Sequence, residues 1–152
     1  KPSNVILLRD STDDAPRLKL IDFGAASLTG AKEHDDVLVG TLAYMAPERI
    51  CGEPSDVRSD TYSMGIMLYR MLSGRLPYDA SDDDALFTAH LENPPRPLTS
   101  PFGVLPGRVV RVVTRALAKR PIERYQTMKQ MIADIEYALA SFDSSGWRKW
   151  LP

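Results

Sequence analysis

The segment from Asp22 to Glu48 constrains the fold of this chain more than any other part of its sequence. It opens with Asp22-Phe23-Gly24 after an apolar run and closes with Ala46-Pro47-Glu48. A carboxylate next to a glycine hinge is suited to ligate a cation, and the aromatic residue between them anchors the segment in a core. The proline predicts a turn at the far end, and a buried glutamate there needs a partner.

Two short apolar runs, residues 5–8 and 18–21, flank a polar stretch upstream of this segment. The pattern predicts a β-hairpin with a polar loop. A hairpin brings Asn4, just before the first strand, close to Asp22, just after the second. On their own the two residues are typical of turns. In combination with the segment that follows, we favour joint ligation of one cation by the amide and the carboxylate.

Five short motifs, which follow one another in the order that the family shows, resemble those of the Hanks-type serine/threonine protein kinases, most closely in the bacterial branch of that family. They are Lys1-Pro2-Ser3-Asn4, Asp22-Phe23-Gly24, Gly40-Thr41, Ala46-Pro47-Glu48 and the run from Arg120 to Tyr125. The resemblance covers residues 1–142 and implies an α+β, mainly α, kinase C-terminal lobe with a small β-hairpin. By this resemblance the N-terminal lobe would be absent, the sequence would begin inside the catalytic loop, and residues 143–152 would form a tail.

The resemblance assigns the nucleotide site to both sides of the hairpin. Asn4 and Asp22 would hold Mg²⁺ at the phosphates of ATP. Lys1 would lie beside the transferred phosphoryl group and offset its negative charge. Ile6 and Ile21 would form part of the floor under the adenine ring, although both also suit a plain strand core.

The resemblance also assigns residues to the substrate side of the site. Thr41 would bond the catalytic aspartate and Lys1 and favour serine or threonine substrates. Residues 42–45 would line an apolar pocket for the substrate residue after the acceptor. Ser3 and Arg70 stand where many basic-directed kinases carry glutamate. We therefore expect no strong preference for arginine before the acceptor.

The residues between Gly24 and Gly40 resemble an activation loop. In such kinases one window of this loop carries the phosphorylated serine or threonine, and here that window holds carboxylates and no hydroxyl. Either the carboxylates permanently supply the negative charge that a phosphate would bring, or they form a solvated acidic loop. Two hydroxyl residues earlier in the loop are candidate phosphosites. The assigned residues are Gly24, Ser27, Thr29, Glu33, Asp35 and Asp36.

Two further assignments are structural. Glu48 would pair with Arg124, the last residue of the late family motif. Asp60 would cap a buried helix over residues 60–72, with Ser59 as the other candidate cap. The resemblance adds that Asp60 accepts backbone hydrogen bonds from the catalytic loop. We treat residues 49–59 as a polar connector.

The rest of the chain predicts helices around one irregular stretch. The acidic run of residues 82–84 favours a helix start over a metal site. Residues 93–106 contain five prolines and predict irregular structure. Residues 108–119 form a helix with an arginine face that is either solvated or a site for an acidic partner. Thr127 and Gln130 predict a capping box for a last helix whose core stripe is Met128, Met131, Ile132, Ile135, Leu139 and Phe142.

Composition limits the partners and the compartment. A formal net charge of −1 gives no electrostatic case for nucleic acid or a membrane surface, and no apolar run is long enough to span a bilayer. Cys51 is the single cysteine, so no internal disulfide can form. This favours a reducing, cytoplasmic location, with packing as the expected role of Cys51.

The implied reaction is transfer of the ATP γ-phosphoryl group to protein serine or threonine hydroxyls. The family's His-Arg-Asp motif would fall before Lys1, so we expect residues 1–152 alone to be inactive. The expected partners are protein substrates and the missing N-terminal lobe. The alternatives are a pseudokinase or scaffold lobe that binds proteins, and a truncation product without its own function.

Overall fold

A computed structural model describes residues 1–8, 17–21 and 41–140 of the chain. Within them the fold is mainly helical, with one two-stranded antiparallel hairpin. The strands are β1 (Val5–Leu8) and β2 (Arg17–Leu20), and the helices are α1 (Pro47–Ile50), α2 (Val57–Ser73), α3 (Asp83–Leu91), α4 (Gly107–Ala116) and α5 (Met128–Ala140). Two 3₁₀ turns, Pro2–Asn4 and Pro121–Glu123, complete the order.

The predicted hairpin is confirmed. Val5 lies opposite Leu20 and Leu8 opposite Arg17, so the second strand begins one residue earlier than its apolar run. The hairpin leaves its apolar side chains exposed: Ile6, Leu7, Leu8, Leu18 and Leu20 are between 41% and 69% accessible. The hairpin is therefore not part of the buried core of the described residues.

Helix α2 is the centre of the core, as its apolar sequence predicts. It begins at Val57 because the carboxylate of Asp56 accepts the amide hydrogen of Arg58 at 2.8 Å. The prediction that Ser59 or Asp60 caps this helix is therefore wrong, and residues 49–59 are not a plain connector. At its other end Gly74 adopts φ 75°, the left-handed conformation that commonly ends a helix.

Helices α2 and α4 approach closely at Gly65. A Cβ placed on Gly65 would lie 2.8 Å from the Cβ of Ala116, a separation that real side chains do not adopt. A glycine facing an alanine lets the two backbones meet, and larger apolar residues close the core on either side. Fully buried members of this core include Tyr62, Ile66 and Val113.

Helices α3 and α4 have their expected places. The Asp82 carboxylate caps α3 by accepting the Ala85 amide at 2.8 Å, which confirms the acidic run as a helix start. The proline-rich stretch contains neither helix nor strand, only an isolated bridge between Ser100 and Gly103. Helix α4 begins at Gly107 and ends at Ala116, one residue earlier at its start and three residues earlier at its end than the predicted helix over residues 108–119.

The arginine face of α4 is only partly solvated. Arg108 stacks on the ring of Tyr137, 4.1 Å from its centroid. Arg115 stacks on Tyr125 at 4.3 Å and lies 3.6 Å from a carboxylate oxygen of Asp134. Two of the three arginines thus join α4 to residues on or just before α5, and Arg111 remains exposed.

The core stripe of α5 differs from its prediction. Met131 and Ala138 are buried and Met128 and Ile135 are partly buried, a face with helical spacing. Ile132 and Leu139 are 52% and 61% exposed, so their assignment to the stripe is wrong. Phe142 lies outside the described residues, as does the tail.

The capping box before α5 is displaced by one residue. The Thr127 hydroxyl accepts the Gln130 amide hydrogen at 3.2 Å, as predicted. The Gln130 side chain accepts from the Gln126 amide, not from that of Thr127. Cys51, expected to pack, is exposed because it follows the short helix α1 at the surface. No helix in the described ranges is long and apolar enough to cross a membrane.

Candidate active site

Lys1 and Thr41 are joined directly. The Lys1 ammonium donates a 2.8 Å hydrogen bond to the Thr41 hydroxyl, and both residues are half-buried. Forty residues of chain separate them, so the contact depends on the tertiary fold. It connects the start of the hairpin to residues 41–46, which we call the Thr41 segment.

The two ends of the hairpin meet beside Asn4. The Ile21 amide donates to the Asn4 carbonyl at 2.9 Å, and the Ser3 hydroxyl lies 3.5 Å from the Asn4 side-chain oxygen. Asp22 follows Ile21 but lies outside the described residues, as do all the activation-loop assignments: Gly24, Ser27, Thr29, Glu33, Asp35 and Asp36. Joint metal ligation by Asn4 and Asp22 therefore stays a prediction.

The predicted adenine floor has two different environments. Ile6 is 41% exposed on β1, while Ile21 is half-buried at the end of β2. Ile6 is thus not a core residue of the described structure. The described residues contain no cluster of three or more histidine, cysteine, aspartate or glutamate side chains able to hold a metal.

The Thr41 segment is fastened to α2 through Tyr44. The Ser63 hydroxyl donates to the Tyr44 carbonyl at 2.7 Å, and the Arg70 guanidinium donates to the Tyr44 hydroxyl at 2.7 Å. Sequence analysis missed both bonds, because a tyrosine within an apolar run carries no signal of its polar partner. The bonds fix the backbone that presents Thr41 to Lys1.

The apolar residues of this segment do not line an open pocket. Leu42, Ala43, Tyr44 and Met45 are each no more than 9% exposed and belong to the core. The prediction that their side chains line a substrate pocket is therefore wrong for the described structure.

Glu48 and Arg124 form the predicted pair, and it is buried. The guanidinium binds both carboxylate oxygens, at 2.7 and 2.8 Å, and the Ser59 hydroxyl donates to Glu48 at 2.6 Å. The remaining N–H groups of Arg124 donate to the carbonyls of Ala118, Lys119 and Arg58. All five guanidinium hydrogens thus have acceptors, as a buried arginine requires.

The charge of Glu48 is maintained by its partners. Burial alone opposes ionisation of the carboxyl, but hydrogen bonds from Arg124 and Ser59 outweigh it and lower the pKa of Glu48. Because Glu48 lies on α1, directly after the Thr41 segment, the ion pair fixes the second end of that segment. Asp60, by contrast, is exposed in the first turn of α2.

Sequence analysis did not find the buried polar residue His90. His90 is fully buried, its Nδ1 is 2.9 Å from the Tyr62 hydroxyl, and its Nε2 has no partner among the described residues. Burial lowers the pKa of His90 to about 4.

The Lys119 ammonium donates to the carbonyls of Ala89 and His90 and to the Tyr78 hydroxyl. Burial, and then the charge of Arg124, lower the pKa of Lys119 to about 8.

Comparison with known proteins connects this arrangement to one family. Residues 1–135 match the family described as "Protein kinase domain". The whole chain is 37% identical to the serine/threonine-protein kinase Pkn1 of Myxococcus xanthus, of which it covers 22%. Over 90% of the chain it is 37% identical to serine/threonine-protein kinase A of Synechocystis, covering 26% of that protein. Over 91% it is 32% identical to PrkC of Bacillus subtilis, covering 21%. The chain thus spans about a fifth to a quarter of these relatives.

Proposed function

Because the chain belongs to the protein kinase family, we propose that it forms part of a kinase that transfers the γ-phosphoryl group of ATP to serine and threonine hydroxyls of proteins. The observation that carries the proposal is the 2.8 Å bond from Lys1 to Thr41. This bond places the Lys1 ammonium next to the Thr41 hydroxyl, at the open end of the hairpin. Such a group is suited to offset charge on a transferred phosphoryl group.

Asn4 and Asp22 are the residues that would hold Mg²⁺. Amide and carboxylate oxygens are the hard ligands that Mg²⁺ prefers, so the donor set fits the ion. The bond between the Ile21 amide and the Asn4 carbonyl supports their proximity, since Ile21 immediately precedes Asp22. Bound ATP would supply the phosphoryl group, and bound Mg²⁺ would neutralise the charge of the ATP phosphates. Ile6 and Ile21 would lie against the adenine.

The other residues of the site would act by positioning. Thr41 would orient the Lys1 ammonium through the bond between them, and would face the substrate hydroxyl. The Tyr44 bonds and the Glu48–Arg124 pair would keep the Thr41 segment in place at both ends. Glu33, Asp35 and Asp36 would supply negative charge in place of activation-loop phosphate, with Ser27 and Thr29 as candidate phosphosites.

The exposed hairpin supports a second part of the proposal, which concerns the partner that covers the hairpin. Leu7, Leu18 and Leu20 lie on one face of the hairpin and are exposed among the described residues, and clustered exposed apolar side chains often mark an interface. The N-terminal lobe of the same kinase would cover it. The single cysteine fits a reducing, cytoplasmic setting.

The proposal is tested with the natural polypeptide that contains this chain. It is incubated with Mg-ATP and a mixture of proteins, and phosphoserine and phosphothreonine are measured. We expect Lys1→Ala to lower the rate by about 100-fold, as loss of one charge-stabilising group does. Lys129→Ala, at an exposed position of α5, serves as the control and should leave the rate unchanged.

Two results would contradict the proposal. One is an unchanged rate in Lys1→Ala. The other is the absence of any phosphoryl transfer by a folded polypeptide that still binds other proteins, which would favour the scaffold alternative.

A further inference from the structure

Helix α5 has two apolar faces, and only one of them is buried among the described residues. Met131 and Ala138 lie on the buried face, whereas Ile132 and Leu139 each keep more than half of their surface exposed. Ile132 and Leu139 are seven positions apart, so they lie on the same side of the helix, two turns from each other. Apolar residues at this spacing are the usual anchors by which a helix face binds another segment of chain.

A carboxylate lies between these two apolar residues. Glu136 follows Ile132 by four positions and precedes Leu139 by three, so it shares their side of α5, and it is exposed. None of the ion pairs among the described residues includes Glu136. We call these three residues the outer face of α5. Because an α-helix rises 1.5 Å per residue, the outer face presents two apolar groups about 10 Å apart with a negative charge between them.

The sequence that follows α5 has the complementary pattern. Trp147 and Trp150 are the two tryptophans of the chain, and the basic residues Arg148 and Lys149 separate them. Residues 143–146, which begin the tail, read Asp-Ser-Ser-Gly, a composition typical of a turn. The tail thus offers two large apolar groups with positive charge between them, after a segment that can reverse the direction of the chain.

The spacing of the two patterns also agrees. In an extended conformation with three residues per turn, such as polyproline II, residues three positions apart lie on the same side and roughly 9 Å apart. Trp147 and Trp150 would then be separated by almost the same distance as the two apolar residues of the outer face. A reversal over residues 143–146 would return the chain along the helix that it has just left.

We propose that the tail folds back antiparallel to α5 and covers the outer face. Trp147 would pack on the apolar residue nearer the C-terminal end of the helix, and Trp150 on the one nearer its N-terminal end. The two basic residues between them would lie beside Glu136. Indole rings bury a large apolar area, so the two tryptophans suffice to cover both positions. The proposal goes beyond the kinase function and uses no residue of the candidate active site.

Limited trypsin digestion of the natural polypeptide that contains this chain tests the proposal. Trypsin cleaves after Arg148 and Lys149, and mass spectrometry measures the rate of cleavage at these two bonds. A docked tail is cleaved only when it opens, so the rate follows the fraction of open molecules. A synthetic peptide of residues 143–152 gives the rate for the undocked sequence. We expect cleavage in the protein to be roughly tenfold slower than in the peptide.

Substitutions on the outer face should release the tail. Ile132→Gln and Leu139→Gln each remove an apolar contact but introduce a residue that favours helix, and each should raise the cleavage rate toward that of the peptide. Glu136→Gln should raise it less, because an exposed ion pair contributes little. Val57→Gln is the matched control, since Val57 is an exposed apolar residue on α2. It should leave the rate unchanged, and circular dichroism should show the same helix content in all variants.

A disulfide bond tests the proposed pairing directly. With Cys51→Ser, the double substitution Leu139→Cys and Trp147→Cys should give a bridge within one molecule on mild oxidation, because a disulfide requires Cα atoms within about 7 Å. Trp147→Cys alone should form no bridge to the native Cys51, which is exposed after α1. The Glu48–Arg124 pair holds α1 at the turn before α5, at the opposite end of that helix from Leu139.

Three results would overturn the inference. Cleavage of the unaltered protein as fast as the peptide would show that the tail is not covered. Slow cleavage that persists in both Ile132→Gln and Leu139→Gln would show that the tail binds elsewhere. Protection that rises with protein concentration, together with disulfides that form only between molecules, would assign the outer face to a second copy of the chain.

Discussion

Arg124 binds Glu48 through both of its terminal nitrogens, at 2.7 and 2.8 Å, although 76 residues separate the two in sequence. The pair joins α1, which follows the Thr41 segment, to the turn before α5. Its arginine also stacks on the ring of Tyr62, 4.8 Å from the centroid. The contact thus connects the candidate active site to the centre of the core.

Removal of one partner of this pair should strongly destabilise the fold. Arg124→Ala leaves the Glu48 carboxylate buried without its counter-charge, and we expect a loss of about 3–5 kcal/mol in the free energy of unfolding. Urea denaturation followed by circular dichroism measures it. Arg58→Ala is the control, because Arg58 pairs with Asp56 at the surface, where loss of an ion pair costs at most about 1 kcal/mol. Equal effects of the two substitutions would contradict the account.

His90 should make stability depend on pH in mildly acidic solution. Its pKa is lowered to about 4 in the fold from 6.5, so the unfolded chain binds the proton more readily. The stability present above pH 6.5 should therefore fall as the pH is lowered toward 4, by about 3 kcal/mol in total. The pKa of Glu48 is also lowered, so Glu48 adds to the loss of stability only at the acidic end of this range, below the ordinary glutamate pKa of 4.5.

The measurement compares unfolding free energies between pH 6.5 and 5. His90→Gln removes the titrating ring but keeps an acceptor for the Tyr62 hydroxyl, so the slope in this range should disappear. His34→Gln, at the second histidine of the chain, is the control. A slope that persists in His90→Gln and disappears in His34→Gln would refute the assignment.

Sequence analysis predicted the elements better than it predicted their polar contacts. The hairpin, the buried helix and the Glu48–Arg124 pair followed from apolar runs and from motif pieces whose order is specific. The cap of α2 was misplaced because Asp56, Ser59 and Asp60 are all good caps, and only the backbone geometry selects among them. In α5 two stripes of similar apolarity compete, and contact with α4 selects the one that includes Ala138.

The contacts of Tyr44, Arg70, His90 and Lys119 had no sequence signal. Each joins residues at least 19 positions apart, and each residue type has several possible roles in the absence of a partner. The pocket predicted from residues 42–45 was wrong for a related reason. An apolar run predicts burial, but it does not show whether a core or a ligand covers it.

Gly65 should not tolerate even a small side chain. A Cβ at this position would lie 2.8 Å from that of Ala116, so Gly65→Ala must push α2 and α4 apart. We expect a destabilisation of about 1–3 kcal/mol, against the gain that alanine otherwise brings to a helix. Gly107→Ala is the control, since nothing lies within 4 Å of a Cβ at the first residue of α4. An unchanged midpoint in Gly65→Ala would show that the helices do not approach this closely.

The central claim is that Asn4 and Asp22 jointly hold the metal that phosphoryl transfer requires. The most direct measurement is the rate of γ-phosphoryl transfer by the natural polypeptide as a function of Mg²⁺ concentration, for the unaltered protein and for Asn4→Ala and Asp22→Asn. The account predicts that Asn4→Ala raises the Mg²⁺ concentration needed for half-maximal rate, and that Asp22→Asn abolishes transfer at every concentration while the protein stays folded. Full activity of Asp22→Asn at ordinary Mg²⁺ would contradict it.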